Sequence, residues 1–260
     1  MKKIIIFLTT CFCIISLCYT STSARSQEFS WYCTRNKEHK QPIADANMRF
    51  VENYNGYYID HRHSDSSEHK VIYLTFDAGY ENGNIEKILN VLKEENVNAA
   101  FFVLSNLLEK NPELIQRMEK EGHTVCNHTS KHPDITKFNN INDLKLELTS
   151  IEDRYFEITG KQMPKYFRPP EGKFNEQSMA YLNELGYKTI FWSFAYADWD
   201  NNSQMSAEAA KKKIFDNIHN GEIMLLHPTS ATNALIMRDI IRKVRAEGYS
   251  FGTLDELTKC

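Results

Sequence analysis

Six polar side chains are of the types that hydrolytic chemistry uses: Asp77, His128, His132, Arg168, Asp198 and His227. A carboxylate can take a proton from water. A histidine can give one near neutral pH. An arginine can fix a carboxylate by charge-assisted hydrogen bonds. Two neutral imidazoles in a His-x3-His spacing can hold a divalent cation. Each residue alone has an ordinary reading. Asp77, two residues before Gly79, could be a turn residue, and the two histidines could be loop polars. Arg168 could be a surface ion-pair partner, His227 a satisfied strand-end histidine, and Asp198-Trp199 an edge packing.

The elements that must carry these residues decide between the readings. From Val71 onward, short apolar runs alternate with helical ones. Strands are predicted at Val71–Phe76, Asn98–Leu104, His123–Asn127, Tyr166–Arg168, Lys188–Ser193, Glu222–Leu226 and Ser250–Leu254. Helical patterns lie between them at Ile85–Glu95, Pro112–Lys120, Ile141–Ile158, Glu176–Leu185, Ala207–His219 and Asn233–Ala246, several ending at a glycine. Strands alternating with helices imply an α/β fold with a parallel sheet, and at this length a (β/α) barrel with about seven strands. In such barrels the reacting groups sit at the carboxyl ends of the strands. Asp77, His128 with His132, Arg168, Asp198 and His227 follow five different strands, so all arrive at one face. Packing alone does not explain that coincidence. No glycine-rich phosphate loop follows the first strand.

The rest of the chain divides into unlike parts. Lys2 and Lys3 precede an apolar run from Ile4 to Cys18 and a small polar stretch ending at Ala24. This is the pattern of an export signal cleaved after residue 24; left uncleaved, it would anchor the protein to a membrane. The run is short for a span, which needs ~20 apolar residues. Residues 25–70 form a polar and aromatic extension. Its segment Asp60–Lys70 holds His61, His63 and His69 and reads as a solvated linker. Residues 71–260 carry the barrel. Three cysteines fall in the signal, and Cys33, Cys126 and Cys260 remain, which is no disulfide framework. With 31 basic and 34 acidic residues the net charge is -3, and -5 once Lys2 and Lys3 are removed. Neither value suits a protein built to grip nucleic acid.

The segments TFDAG (75–79), NHTSKH (127–132), RPPEG (168–172), Asp198-Trp199 and LLHP (225–228) resemble, in order and spacing, the five motifs of the NodB-homology polysaccharide deacetylases, carbohydrate esterase family four. The longer stretches TFDAGYENGN and FWSFAYADWD are most similar to the spore-cortex subgroup, which acts on N-acetylmuramic acid and leads to muramic δ-lactam. The resemblance implies a distorted barrel and a hydrolase that removes N-acetyl groups from peptidoglycan strands outside the cytoplasm, in the cell wall or forespore envelope. It implies Asp77 as general base and Arg168 as its holder. His227 is the implied general acid, with Asp198 orienting it. Trp199, Pro169, Pro170, Glu171 and Leu225 are the implied substrate contacts. His128 and His132 would hold a divalent cation, zinc first.

Two positions depart from the family pattern. Ala78 stands where a second aspartate usually completes the metal site. Glu171 stands where many relatives carry an aromatic or basic residue, and a carboxylate there opposes an anionic muramoyl group unless a cation compensates. Two other readings therefore accompany the first: deacetylation of another glycan (N-acetylglucosamine or an O-acetyl ester), and a non-catalytic glycan-binding relative.

Overall fold

The structure, a computed structural model, describes residues 26–259. The export segment and Cys260 lie outside the described residues. Its centre is an eight-stranded parallel sheet. The strands are β1 (Gly56–Tyr57), β2 (Lys70–Ala78), β3 (Ala100–Val103), β4 (Thr124–Asn127), β5 (Tyr166–Phe167), β6 (Lys188–Ile190), β7 (Glu222–Leu226) and β8 (Tyr249–Phe251). Their order is β7-β2-β3-β4-β5-β6-β1, with β8 beside the start of β2. The sheet curls until its edges meet. Single bridges from Ile59 to Glu222 and from Phe194 to Met224 join the β1 and β6 side to β7. The outer layer is α1 (Ile85–Glu94), α2 (Ser105–Lys110), α3 (Pro112–Lys120), α4 (Ile141–Thr159), α5 (Glu176–Glu184), α6 (Ala207–Phe215), α7 (Ala231–Ala246) and the short α8 (Leu254–Leu257). Among the described residues, no helix is long and apolar enough to cross a membrane.

All seven strands expected from the sequence form, though Lys188–Ser193 and Ser250–Leu254 shorten to three residues each. The eighth, β1, comes from the extension and pairs in parallel with β6. The extension is also tied down elsewhere. Phe29–Ser30 pairs antiparallel with Lys173–Phe174, and Trp31 stacks on Phe191 with ring centroids 4.5 Å apart. The segment beginning at Asp60 is solvent-facing, as its composition suggests, with residues 61–70 exposed or half-buried, but its first residue is not. Asp60 is buried beneath the barrel, accepts from the Tyr73 hydroxyl at 2.6 Å, and is held by Arg62 at both carboxylate oxygens. Cys33 and Cys126 form no disulfide.

Alternation along the strands explains which residues reach the site. Successive side chains of a strand face opposite sides of the sheet. On β2, Ile72, Leu74, Phe76 and Ala78 pack in the apolar layer under the helices. Val71 and Tyr73 belong instead to the interior cluster, with Ala100, Phe102, Cys126, Tyr166, Ile190 and Ile223. Continued upward, that interior parity reaches Thr75 and Asp77 on β2, His128 after β4, Arg168 after β5, Trp192 after β6, Leu225 on β7 and His227 just after it. The interior is a packed core with a polar upper layer.

Candidate active site

Asp77 is the last inward residue of β2. Its Oδ1 accepts from Arg168 Nη1 at 2.8 Å. Arg168 is fully buried and its donors are spoken for. Nε donates to the Ile190 carbonyl at 2.8 Å, and Nη2 donates to Thr75 Oγ1 at 2.9 Å and to the Phe191 carbonyl at 3.2 Å. Its plane lies over the Phe102 ring, 4.1 Å from the centroid. A buried guanidinium in this frame cannot leave, so it fixes the carboxylate in place and in charge. Burial alone would raise the pKa of Asp77; the charge of Arg168, with that of His227, outweighs it and holds the carboxyl below its ordinary value.

The two histidines converge because their loop is bent twice into the left-handed region, at Thr129 (φ 72°) and His132 (φ 59°). Polar anchors hold those bends. Thr129 N–H donates to Asn127 Oδ1, His132 N–H donates to Thr129 Oγ1, and the amides of Ser130 and Lys131 both donate to Glu147 Oε1 on α4. The imidazole centroids of His128 and His132 end 5.1 Å apart.

His128 Nδ1 lies 2.8 Å from the Arg168 carbonyl oxygen, which can only accept, so Nδ1 carries the proton. Burial depresses the His128 pKa to about 4, leaving a neutral ring with a bare Nε2. That Nε2 faces Asp77 Oδ2 at 3.6 Å. Two electron-rich atoms facing each other without a proton between them suit a cation. The fixed tautomer, set by a carbonyl on the far nitrogen, is also the usual support of a metal-binding histidine. The residues therefore fit a divalent ion held by two imidazoles. Ala78 adds nothing to it, being buried on the opposite face of β2. Among the described residues no three His, Cys, Asp or Glu side chains converge on one point, so water or substrate would complete the shell.

The fourth group is His227. Its Nδ1 is 2.7 Å from Asp198 Oδ1, while its own backbone N–H donates to Asp198 Oδ2 at 2.8 Å. Asn233 Nδ2, in the first turn of α7, donates to the same Oδ2 at 2.6 Å. Burial would lower the His227 pKa, but the hydrogen bond and charge of Asp198, then the charge of Asp77, raise it above the ordinary value. Nδ1–H is thus committed to Asp198, and Nε2 is the atom able to deliver a proton.

These groups share one cavity of about 700 Å³, lined by Asp77, His128, His132, His227, Glu171, Trp199 and Leu225 among others. Other hollows on the surface lack this convergence of acid, base and imidazole groups. Of the expected substrate contacts, Pro169 and Pro170 are buried and do not line the cavity. They shape the turn, closed by Gly172 N–H to the Pro169 carbonyl at 3.0 Å, that presents Glu171 at φ 54°. Gly172 has φ 64°, and a Cβ there would sit 2.7 Å from the Trp192 ring, so only glycine fits. Glu171 has a counter-ion that the sequence reading lacked, since Lys173 Nζ lies 2.6 Å from its Oε2. Sequence reasoning also missed Thr75, Asn233, Trp192 and Tyr80. Strand parity could have found Thr75 and Trp192; nothing in spacing pointed to Asn233.

The chain has counterparts among known proteins. A family model described as "Polysaccharide deacetylase" matches residues 64–190. The chain is 37% identical to the peptidoglycan-N-acetylmuramic acid deacetylase PdaA of Bacillus subtilis, across 89% of this chain and 86% of the relative. It is 40% identical to an uncharacterized 30.6 kDa protein of Geobacillus stearothermophilus, across 92% of this chain and 88% of that one. The solved structure of Bacillus subtilis PdaA, a family 4 carbohydrate esterase, superposes with a TM-score of 0.83 at 38% identity, covering 89% of this chain and 97% of that one.

Proposed function

This chain belongs to the polysaccharide deacetylase family, and from that premise we propose that it hydrolyses the acetamide of N-acetylmuramic acid in peptidoglycan glycan strands. The observation that carries the reading is the opposition, across one cavity, of a carboxylate held ionised by Arg168 and an imidazole held protonated by Asp198. Amide hydrolysis needs both. Water must lose a proton to attack, and the departing nitrogen must gain one to leave as an amine.

Asp77 takes the proton from the attacking water. Arg168 keeps Asp77 aligned and charged throughout. His227 gives its Nε2 proton to the nitrogen as the carbon–nitrogen bond breaks, and acetate and a free amine result. Asp198 stabilises the imidazolium before transfer and holds the ring afterwards. Trp199 and Leu225 enclose the acetyl group. His128 and His132 would hold a divalent cation, zinc by the nature of the donors, with water or substrate in place of a third protein ligand. When bound, that ion polarises the acetamide carbonyl and lowers the pKa of water.

The finer reading concerns the product. Deacetylation frees an amine on the same sugar ring as the lactyl carboxyl, the arrangement from which a muramic δ-lactam closes. The Glu171–Lys173 pair leaves the groove rim without an unbalanced negative charge against that carboxyl. Delivery across the membrane by residues 1–24 would bring the protein to the wall or forespore envelope. Glycan strands freed of stem peptides, incubated with the purified protein and zinc, should yield muramic amine or δ-lactam by mass spectrometry. Deacetylation confined to N-acetylglucosamine, or to O-acetyl esters, would reject the muramic assignment.

A further inference from the structure

The cavity holds more than the reacting groups need. At about 700 Å³ it lies in the upper part of the range for sites that enclose whole small ligands, ~300–1,000 Å³. Its walls carry two exposed aromatic rings, Tyr80 (44% exposed) and Trp199 (60%). Trp199 lies beside the acid, its ring centroid 6.4 Å from that of His227. Tyr80 follows β2, which carries Asp77, by two residues and lines the same cavity.

The two rings belong to different loops that are fastened together. Asn201 Nδ2, two residues past Trp199, donates to the Tyr80 hydroxyl at 2.6 Å. The Asn201 loop is itself braced. Gln204 Nε2 donates to the carbonyls of Asp198 and Asp200 at 3.0 and 2.7 Å, and Asn202 N–H donates to Asp200 Oδ1 at 2.9 Å. On the other side, Asn106 Nδ2 holds the Gly79 carbonyl at 3.1 Å. An exposed aromatic ring gains nothing for the fold by staying in water. One that is clasped in place, over a catalytic cavity, is preorganised to receive the flat apolar face of a ligand.

We propose that Tyr80, clasped by Asn201, is a stacking platform for the sugar next to the one being deacetylated, so that the protein acts on residues within a glycan chain and uses the neighbouring ring for binding. This rests on the glycan reading above and adds to it the residue that holds the ring beside the reacting one. The ring supplies contact area and the hydroxyl supplies the clasp, so the two parts separate by mutation.

The test compares kcat/KM of wild type, Tyr80→Ala, Tyr80→Phe and Asn201→Ala on peptide-free muramic disaccharide, tetrasaccharide and hexasaccharide. Wild type should gain with length from di- to tetrasaccharide. Tyr80→Ala should lose ~10-fold or more on the longer substrates, mostly in KM, and about 2-fold or less on the disaccharide. Tyr80→Phe, which keeps the ring, should stay within ~3-fold, with Asn201→Ala between the two. Equal length dependence in wild type and Tyr80→Ala overturns the proposal. Calorimetric binding of the tetrasaccharide to an Asp77→Asn background, with and without Tyr80→Ala, reads the same contact without turnover; identical Kd values overturn it again. If chitin oligomers are cleaved and muramic ones are not, the muramic assignment fails. The same length series on chitin oligomers then decides the platform separately.

Discussion

Replacing Asp198 by asparagine should lower the pKa of His227 by ~1–2 units. The structure indicates how. Asp198 Oδ2 receives two donors, the His227 backbone N–H at 2.8 Å and Asn233 Nδ2 at 2.6 Å. An asparagine keeps its carbonyl oxygen at that position and turns its amide NH₂ toward His227 Nδ1, 2.7 Å away in the native pair. Two N–H groups cannot face each other, so Nδ1 must give up its proton and the imidazolium is disfavoured. The lost interaction is a hydrogen bond to a charged group, worth ~1.5–3 kcal/mol, and each pKa unit is about 1.4 kcal/mol. The acid must be protonated to act, so the alkaline limb of kcat/KM against pH moves down by the same ~1–2 units. The assay is deacetylation of peptide-free glycan between about pH 5 and pH 9, where histidine titrates. Stability follows the same linkage. A raised native pKa stabilises fully below the unfolded value of ~6.5 and loses that contribution as pH rises through the native value, so the wild-type advantage in Tm over the variant should shrink at alkaline pH. An alkaline limb at the same pH in both proteins would refute the pairing of Asp198 with a catalytic acid.

Arg168→Met leaves the Asp77 carboxylate with its buried partner removed; a loss of ~3–5 kcal/mol, near 10 °C in Tm, and a fall in kcat of about 100-fold or more are expected, read by calorimetry and steady-state rates. Dialysis against a chelator should lower deacetylation and added zinc should restore it. His132→Ala should weaken zinc affinity at least ~10-fold in a chelator competition, and unchanged affinity would remove His132 from the metal site. Trp31→Ala should cost ~3–5 kcal/mol of thermal stability, because its ring stacks on Phe191 and its Nε1 donates to the Trp192 carbonyl at 2.8 Å. It should also reduce kcat, since Phe191 supplies one of the carbonyls that hold Arg168.

The residues that converge at the strand ends were legible because their chemistry and their positions repeat one pattern five times. Asp77, Arg168 and His227 occupy the same inward parity, and alternation along a strand is written in the sequence itself. What was not legible depends on contacts between distant loops. β1 is two residues long, contains Gly56, and forms only because β6 offers it a parallel edge. Asn233 lies on α7, and its hold on Asp198 arises from how that helix packs over the strand ends. Lys173 is two residues from Glu171, but the pairing exists because Glu171 is turned into the left-handed region by the Pro169–Gly172 turn. Composition marked Asp60–Lys70 as solvent-facing, and residues 61–70 are exposed or half-buried; Asp60 alone departs, because the buried Tyr73 hydroxyl draws it under the barrel.

The most direct test of the account is the mass spectrum of peptide-free glycan strands incubated in parallel with wild-type protein and with Asp77→Asn, both supplied with zinc. Loss of the acetyl group from muramic residues with wild type, and intact N-acetylmuramic acid with the variant, is the predicted outcome. Intact strands in both samples, or equal deacetylation in both, would contradict it.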